Sequence, residues 1–175
     1  MVGCLLITLL KNCDRVKIAC LAQLVNVIAP IMTEKDGEAW RQTTFYPFMH
    51  AANYGIGTVL RSHIECPTYD CDEFSNVPFV ESVAVINEVK GELVIFAVNR
   101  SLDEPVELSI EAQGYTKKGV PTHTEISGYD VKAVNTKGSN VVTPKNKNIV
   151  KSESSITDAV LTPLSWNMIR IEIKR

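Results

Sequence analysis

The chain has 175 residues, of which 45% are hydrophobic and 22% are charged, which is ordinary for one globular domain or one domain with an appendage. Its formal net charge is −2, from 18 basic and 20 acidic residues, and no basic face stands out, so we expect no nucleic-acid partner. No apolar run approaches the roughly 18 residues that a membrane-spanning helix needs, so we expect no membrane partner.

The cysteines and the first residues bear on the cellular compartment. The number of cysteines is odd, and three of the five stand within the first twenty positions, which is unlike a disulfide framework and favours a reducing compartment. The apolar stretch 1–10 lacks a basic region before it, and Lys11, Asn12 and Asp14 stand where a signal peptide would have small cleavage-site residues. We therefore expect a cytoplasmic protein.

The first part of the chain has mixed hydrophobic periods. Apolar residues at helical spacing predict an amphipathic helix over residues 2–12, and a second helix is predicted over residues 44–54. An Asp-Gly pair between the apolar segments 31–33 and 39–41 predicts a hairpin. Residues 16–22 are short and mostly apolar, and periodicity alone leaves open whether they form a helix or a strand buried on both faces.

In the remainder of the chain the hydrophobic period changes to two. Apolar and polar residues alternate over 106–111 and 169–173, which predicts strands with one buried face. Residues 82–87 and 92–99 are apolar strand candidates joined by a short turn, whereas 135–148 are polar and predict a long loop. Short strands separated by turns predict an antiparallel β-sandwich.

The sequence contains no recognised catalytic or metal-binding pattern. His63, Cys66 and Cys71 loosely resemble metal ligands, but their spacing fits no zinc site, so we expect no metal. The sequence also lacks a phosphate-binding glycine loop and a nucleophile elbow, so we expect no cofactor. His50 is expected to be a packed or surface histidine, and nothing in the sequence indicates a partner for His123.

Two amides and one carboxylate are more informative. Gln23 and Asn26 stand in an apolar segment, where a buried amide without partners would cost about 1–3 kcal/mol. They are either structural amides or ligand-binding amides, and the residues alone do not decide. Glu34 is interpreted as a solvated turn residue rather than a carboxylate at the end of a barrel strand. Trp40 and Trp166 are most simply packing residues, although an exposed tryptophan could stack on a sugar ring.

Several separate blocks resemble one enzyme family. The family is that of the family-51 glycoside hydrolases, the α-L-arabinofuranosidases, and the blocks that resemble its segments, in the same order, are residues 14–33, 39–43, 45–51, 77–85, 96–101 and 164–167. The resemblance implies a (β/α)8 barrel followed by a jelly-roll-like β-sandwich. For this chain it implies a mainly β fold, in which an antiparallel jelly-roll-like β-sandwich is preceded by the last strand and helices of a truncated barrel.

The same resemblance implies two units. Residues 1–56 would be the remnant of the catalytic barrel, and residues 57–175 would be the C-terminal sandwich. Within the remnant, residues 2–13 would be the helix before the last barrel strand, 16–23 that strand, and 44–54 the closing helix. Gln23 would then lie at the carboxyl end of the strand, where barrel active sites are built.

The function implied by the resemblance is retaining, exo-acting hydrolysis of terminal α-L-arabinofuranosyl residues from arabinan or arabinoxylan oligosaccharides, by an enzyme that is homo-oligomeric. Gln23 matches the family's glutamine that hydrogen-bonds arabinose. The family's two catalytic glutamates lie on earlier barrel strands, and Asn87-Glu88 is in the wrong domain, so we expect no catalytic residue and no activity in this chain alone. The alternative is a non-catalytic sandwich module for carbohydrate binding or subunit assembly.

Overall fold

The computed structural model describes residues 1–153 and 155–174. In this part of the chain the helices and strands follow one another in this order: α1 Val2–Lys11, β1 Ile31–Thr33, β2 Ala39–Arg41, α2 Phe45–Tyr54, β3 Thr58–Leu60, β4 Thr68–Cys71, β5 Phe74–Pro78, β6 Val80–Asn87, β7 Glu92–Asn99, β8 Val106–Glu111, β9 Thr116–Ile126, β10 Lys145–Lys147, β11 Lys151–Ser152, β12 Ile156–Leu161 and β13 Ser165–Lys174.

Two antiparallel sheets face each other across the larger core. The six-stranded sheet has the order β10-β9-β13-β7-β6-β3, and the three-stranded sheet has the order β11-β12-β8. Ile95 and Ile169 of the large sheet pack with Ala159 and Leu161 of the small one. The mainly β, antiparallel sandwich predicted from the sequence is confirmed.

The opposite face of the large sheet is covered by α1. Ile7 of this helix is fully buried with Phe96 and Trp166, whose rings are stacked with their centroids 5.5 Å apart. β7 is therefore covered on both faces, and all eight of its residues are buried. The sequence of a strand that is covered on both faces is a nearly continuous apolar run, and residues 92–99 show this pattern.

Helix α2 is joined to the sheet by a hydrogen bond. The side chain of His50 is buried, and Trp166 Nε1 of β13 donates to His50 Nδ1 at 3.1 Å. Arg170 lies over the Tyr54 ring of the same helix, 4.5 Å from the ring centroid. The helices predicted over 2–12 and 44–54 and the hairpin over 31–41 are thus present. The contacts of the two helices hold them against the sandwich.

Residues 16–23, which the resemblance implies are the last barrel strand, form no strand in this structure. The segment is an irregular, largely exposed stretch between α1 and β1, with the side chain of Ile18 84% exposed. A strand requires a neighbour that pairs with its backbone N–H and C=O groups. No segment among the described residues pairs with it, and an apolar sequence alone does not supply that pairing.

The predicted loop over residues 135–148 is partly structured. Lys145–Lys147 form β10, which pairs with β9 at the edge of the large sheet. Before it, a turn bridges Thr136 and Ser139, and the side chain of Asn135 is buried. Polar composition predicted the surface position of this segment but not its backbone pairing. No helix within residues 1–153 and 155–174 is long and apolar enough to cross a membrane.

Candidate functional site

Gln23 lies on an exposed loop between α1 and β1. Its backbone φ is +60°, and two nearby residues, Asn26 and Val27, have φ of +64° and +53°. Non-glycine residues rarely adopt this left-handed conformation, and it is an outlier for a β-branched residue such as valine. The loop must therefore be held in this shape by its surroundings. The Gln23 side chain itself makes no hydrogen bond to any described residue.

Asn26 is the residue that holds the loop. Its Oδ1 accepts a hydrogen bond from Thr33 N at 2.7 Å, and its Nδ2 donates to Thr33 Oγ1 at 3.0 Å. Its backbone N donates to Ile31 O at 2.8 Å. The sequence left the role of this amide open, and the structure shows a structural amide that fastens the loop to β1.

The other candidates from the sequence are placed apart from this loop or in structural roles. Glu34 lies on the turn of the hairpin and pairs with Lys137 Nζ at 2.6 Å, as a solvated turn residue would. His63 Nε2 lies 3.2 Å from Glu65 Oε1, and both side chains are exposed. Across residues 1–153 and 155–174, no three His, Cys, Asp or Glu side chains are grouped in a way that could hold a metal ion.

The two other histidines are buried structural groups. Burial lowers the pKa of His50 from its usual 6.5 to about 4, so the ring is neutral near neutral pH and its Nδ1 can accept the Trp166 hydrogen bond. His123 Nε2 lies 2.8 Å from Asn167 Oδ1. Burial lowers the pKa of His123, and the Asn167 hydrogen bond and the nearby Glu125 carboxylate oppose this only in part. Sequence analysis identified no partner for His123, because that contact spans 44 residues.

Glu125 is a buried carboxylate that sequence analysis missed. Thr162 N donates to its Oε1 at 2.8 Å, while Ser127 Oγ and Lys147 Nζ lie 2.6 Å and 3.0 Å from its Oε2. Burial alone would raise the pKa of Glu125, but these hydrogen bonds outweigh it and hold the pKa below its ordinary value. A general acid needs the opposite shift, so Glu125 is not suited to that role.

The acids on the strands beside α1 are also paired with cations. Glu81 accepts from Arg100 Nη2 at 2.9 Å and pairs with Lys11 of α1. Glu92 is buried and accepts from Arg170 Nε at 2.7 Å. The Lys11–Glu81 pair joins α1 to β6, and the Arg170–Glu92 pair joins β13 to β7.

Comparison with known proteins identifies the family. The family model described as the α-L-arabinofuranosidase C-terminal domain matches residues 1–165. The intracellular exo-α-(1→5)-L-arabinofuranosidase 1 of Bacillus subtilis is 50% identical over 173 residues, and the match covers 98% of this chain and 34% of that protein. The intracellular exo-α-(1→5)-L-arabinofuranosidase of Acetivibrio thermocellus is 46% identical over 172 residues, with the same coverage of 98% and 34%.

Solved structures give the same result. A family-51 α-L-arabinofuranosidase from Bifidobacterium longum superposes with a TM-score of 0.87 at 38% identity, covering 97% of this chain and 33% of that one. An arabinose complex of the Thermotoga maritima α-L-arabinofuranosidase superposes with a TM-score of 0.82 at 30% identity, covering 97% and 37%. The chain spans about a third of the length of the relatives it matches. Sequence and fold together show that this chain belongs to the family-51 α-L-arabinofuranosidases, of which it forms a C-terminal part.

Proposed function

We propose that this chain supplies the C-terminal third of a retaining, exo-acting α-L-arabinofuranosidase that releases terminal α-L-arabinofuranosyl residues from arabinan and arabinoxylan oligosaccharides. The observation that carries the proposal is the match to relatives named exo-arabinofuranosidases over 98% of this chain and only 34% of their length. The fold of the chain superposes on the corresponding third of such enzymes.

Gln23 is the proposed sugar-binding residue. Its amide is exposed and offers both a donor and an acceptor, which is what recognition of a sugar hydroxyl needs. Residues 1–56 are proposed to belong to the catalytic barrel, with 16–23 as its last strand once the other strands are present, and residues 57–175 to form the sandwich domain. The exposed apolar side chains of Ile18 and Leu24 support this proposal, since they would be buried by such a barrel.

The catalytic carboxylates are proposed to lie outside this chain. Retaining glycosidases use two carboxyl groups about 5–5.5 Å apart, one as acid/base and one as nucleophile. The buried acids of this chain, Glu92 and Glu125, are instead neutralised by Arg170 and Lys147. We therefore expect the isolated chain to hydrolyse no arabinofuranoside.

The relationship also supports proposals about location and assembly. The relatives from B. subtilis and A. thermocellus are named intracellular, which supports a cytoplasmic location for this protein. The resemblance to the family supports a homo-oligomeric enzyme, and neither nucleic acid nor a membrane is a proposed partner. Sedimentation of the assembled enzyme measures the oligomeric state, and a single monomeric species would contradict that proposal.

A chimeric enzyme tests the role of Gln23. This chain replaces the matching third of the B. subtilis relative, and hydrolysis of 4-nitrophenyl α-L-arabinofuranoside is measured for the chimera and for the isolated chain. Gln23→Ala should lower kcat/KM of the chimera by about tenfold, because it removes hydrogen bonds worth about 1.4 kcal/mol. The control is Gln113→Ala, which removes an exposed glutamine from a turn of the sandwich and should leave kcat/KM unchanged.

Two results would contradict the proposal. The first is turnover by the isolated chain that disappears when one of its own acids is replaced. The second is a chimera whose activity is equal with and without the Gln23 amide.

A further inference from the structure

Asn135 attaches a loop of the sandwich to the hairpin near Gln23. The residue lies in the loop 127–144 between β9 and β10, and its side chain is 1% exposed. Its Nδ2 donates to Arg41 O of β2 at 2.9 Å and to Val142 O at 2.9 Å. Its Oδ1 accepts from Val142 N at 2.8 Å. One amide thus closes its own loop and ties it to a strand 94 residues away in sequence.

The β1–β2 hairpin lies between Asn135 and the loop that carries Gln23. Arg41 is the register partner of Ile31 in the β1–β2 pair. Ile31 O accepts the hydrogen bond of Asn26 N, and the Asn26 side chain is bonded to Thr33 two residues further along β1. Asn135 and Asn26 thus bind the outer edges of the same two-stranded hairpin, at Arg41 of β2 and at Ile31 and Thr33 of β1. Gln23 stands three residues before Asn26, so the hairpin links the two asparagines to the loop that carries Gln23.

The backbone of the Gln23 loop needs such support. Asn26 and Val27, which follow the segment proposed as a barrel strand, both have positive φ, and residues in sparsely populated backbone conformations persist only where the surrounding structure fixes them. The ion pair of Lys137 with Glu34 also joins the loop 127–144 to the hairpin, but both side chains are about half exposed, and exposed pairs contribute little. The buried Asn135 is the stronger attachment.

We propose that Asn135 is a positioning residue for sugar binding: through β2, β1 and Asn26 it holds the Gln23 amide in the orientation that receives a terminal L-arabinofuranosyl unit. This role rests on the proposed function of Gln23. It gives the sandwich domain a part in substrate recognition without any contact between that domain and the sugar.

Asn99 provides a matched control inside the sandwich. Its side chain is also buried, its Nδ2 donates to the carbonyl oxygens of Glu104 and Leu161 at 3.1 and 3.0 Å, and its Oδ1 accepts from Ser101 N at 2.9 Å. Both asparagines therefore make two donor bonds and one acceptor bond to backbone groups. They differ in that Asn135 reaches the hairpin.

Hydrogen–deuterium exchange of the chain tests the attachment. Asn135→Asp keeps an acceptor for Val142 N but places a carboxylate against two carbonyl oxygens, so the hairpin should loosen. The amides of Asn26, Thr33 and Gln42, which are bonded within the hairpin and loop, should then exchange about tenfold faster, whereas Asn99→Asp should leave them unchanged. Equal exchange in both variants would overturn the proposal. Asn135→Ala and Asn99→Ala repeat the comparison without a buried charge if the aspartates do not fold.

The chimera tests the link to sugar binding. Asn135→Asp should raise KM about tenfold with a smaller effect on kcat, and Asn99→Asp should not. In a Gln23→Ala background Asn135→Asp should add nothing, because both changes remove the same interaction. If Gln23→Ala costs activity and Asn135→Asp still adds its full effect, the positioning role is wrong while the proposed function stands. If Gln23→Ala has no effect, the proposed function fails and the exchange experiment alone decides whether Asn135 holds the loop.

Discussion

Glu125 illustrates at the scale of one residue how a buried carboxylate becomes a structural group. Four hydrogen-bond donors surround it: the N–H and hydroxyl of Thr162, the hydroxyl of Ser127 and the ammonium of Lys147. The charged form is favoured by these donors more than burial disfavours it, which is why the pKa is lowered. The carboxylate therefore stabilises the fold in its ionised form.

Glu125→Gln should destabilise the protein in a pH-dependent manner. At pH 7 the free energy of unfolding should fall by about 1–3 kcal/mol, because the charged acceptor is lost and Lys147 keeps no counter-ion. Since the folded-state pKa lies below the unfolded value of about 4.3, this contribution is present above that value and is lost as pH falls through the folded-state pKa. Urea unfolding at pH 7 and near pH 3 measures the difference between the two proteins, which should shrink at low pH.

Glu65→Gln is the control for that experiment. The Glu65 side chain is 88% exposed, so its replacement should change the free energy of unfolding little at either pH. A Glu125→Gln protein as stable as the wild type at pH 7 would contradict the structural role.

At the scale of elements, the position of α1 depends on Gly3. A Cβ on this residue would lie 2.6 Å from Trp166 Cε3 and 2.9 Å from Val98 Cγ2, so only glycine lets the helix approach β7 and β13 this closely. Glycine lowers helix propensity by about 1 kcal/mol relative to alanine. The close approach to the tryptophan ring is the reason for a glycine at this point of the helix.

Gly3→Ala should therefore destabilise the chain despite its better helix propensity. Overpacking against a rigid ring costs about 1–3 kcal/mol. Because Gly3 is the second residue of α1, the gain in propensity stays below the roughly 1 kcal/mol of a helix interior, so the overpacking dominates. Thermal unfolding measures the net effect, and Thr8→Ala on the exposed face of the same helix is the control, expected to be neutral or stabilising. An increase in Tm for Gly3→Ala would show that α1 does not pack against Trp166 as described.

Elements whose hydrophobic pattern reflects their burial were predictable from the sequence. The alternation in β8 and β13 and the continuous apolar run of β7 correspond to one or two covered faces. The short strands β10 and β11 are polar and form because a neighbouring edge pairs with them, which no local pattern encodes. Residues 16–23 show the converse case, since their apolar sequence does not form a strand without a pairing partner.

The candidate site was predictable only in part, for the same reason. Gln23 was found through a resemblance between sequence blocks, not from its spacing or surroundings. The roles of Asn135 and Asn167 depend on contacts across 94 and 44 residues. Asn135 stands in a polar loop and Asn167 in a buried strand, and neither setting carries a local signal of such a contact. The resemblance therefore located the candidate ligand-binding residue, whereas no local pattern located Asn135, which is proposed to hold it in place.

Along the described chain, the exposed apolar side chains are concentrated before the first strand, β1. Large apolar side chains in the segment 18–28 are exposed to solvent, among them Ile18, Leu24, Val27 and Ile28. Single exposed hydrophobic residues are normal, but a contiguous group marks an interaction surface. The group adjoins Gln23, which supports the proposal that the rest of the barrel covers it.

Replacing two of these side chains should distinguish an effect on assembly with the barrel from an effect on the folding of this chain. Ile18→Asp with Leu24→Asp should lower the binding of a hydrophobic dye to the isolated chain and leave its free energy of unfolding nearly unchanged, because both side chains are about 85% exposed. In the chimera the same pair should abolish activity, since burying two unpaired carboxylates between barrel strands is costly. Val89→Asp with Leu102→Asp is the matched control, at exposed positions in loops of the sandwich, and should retain activity. Because both pairs remove two exposed apolar side chains and add two charges, equal activity of the two chimeras would mean that the segment 18–28 does not pack against the barrel.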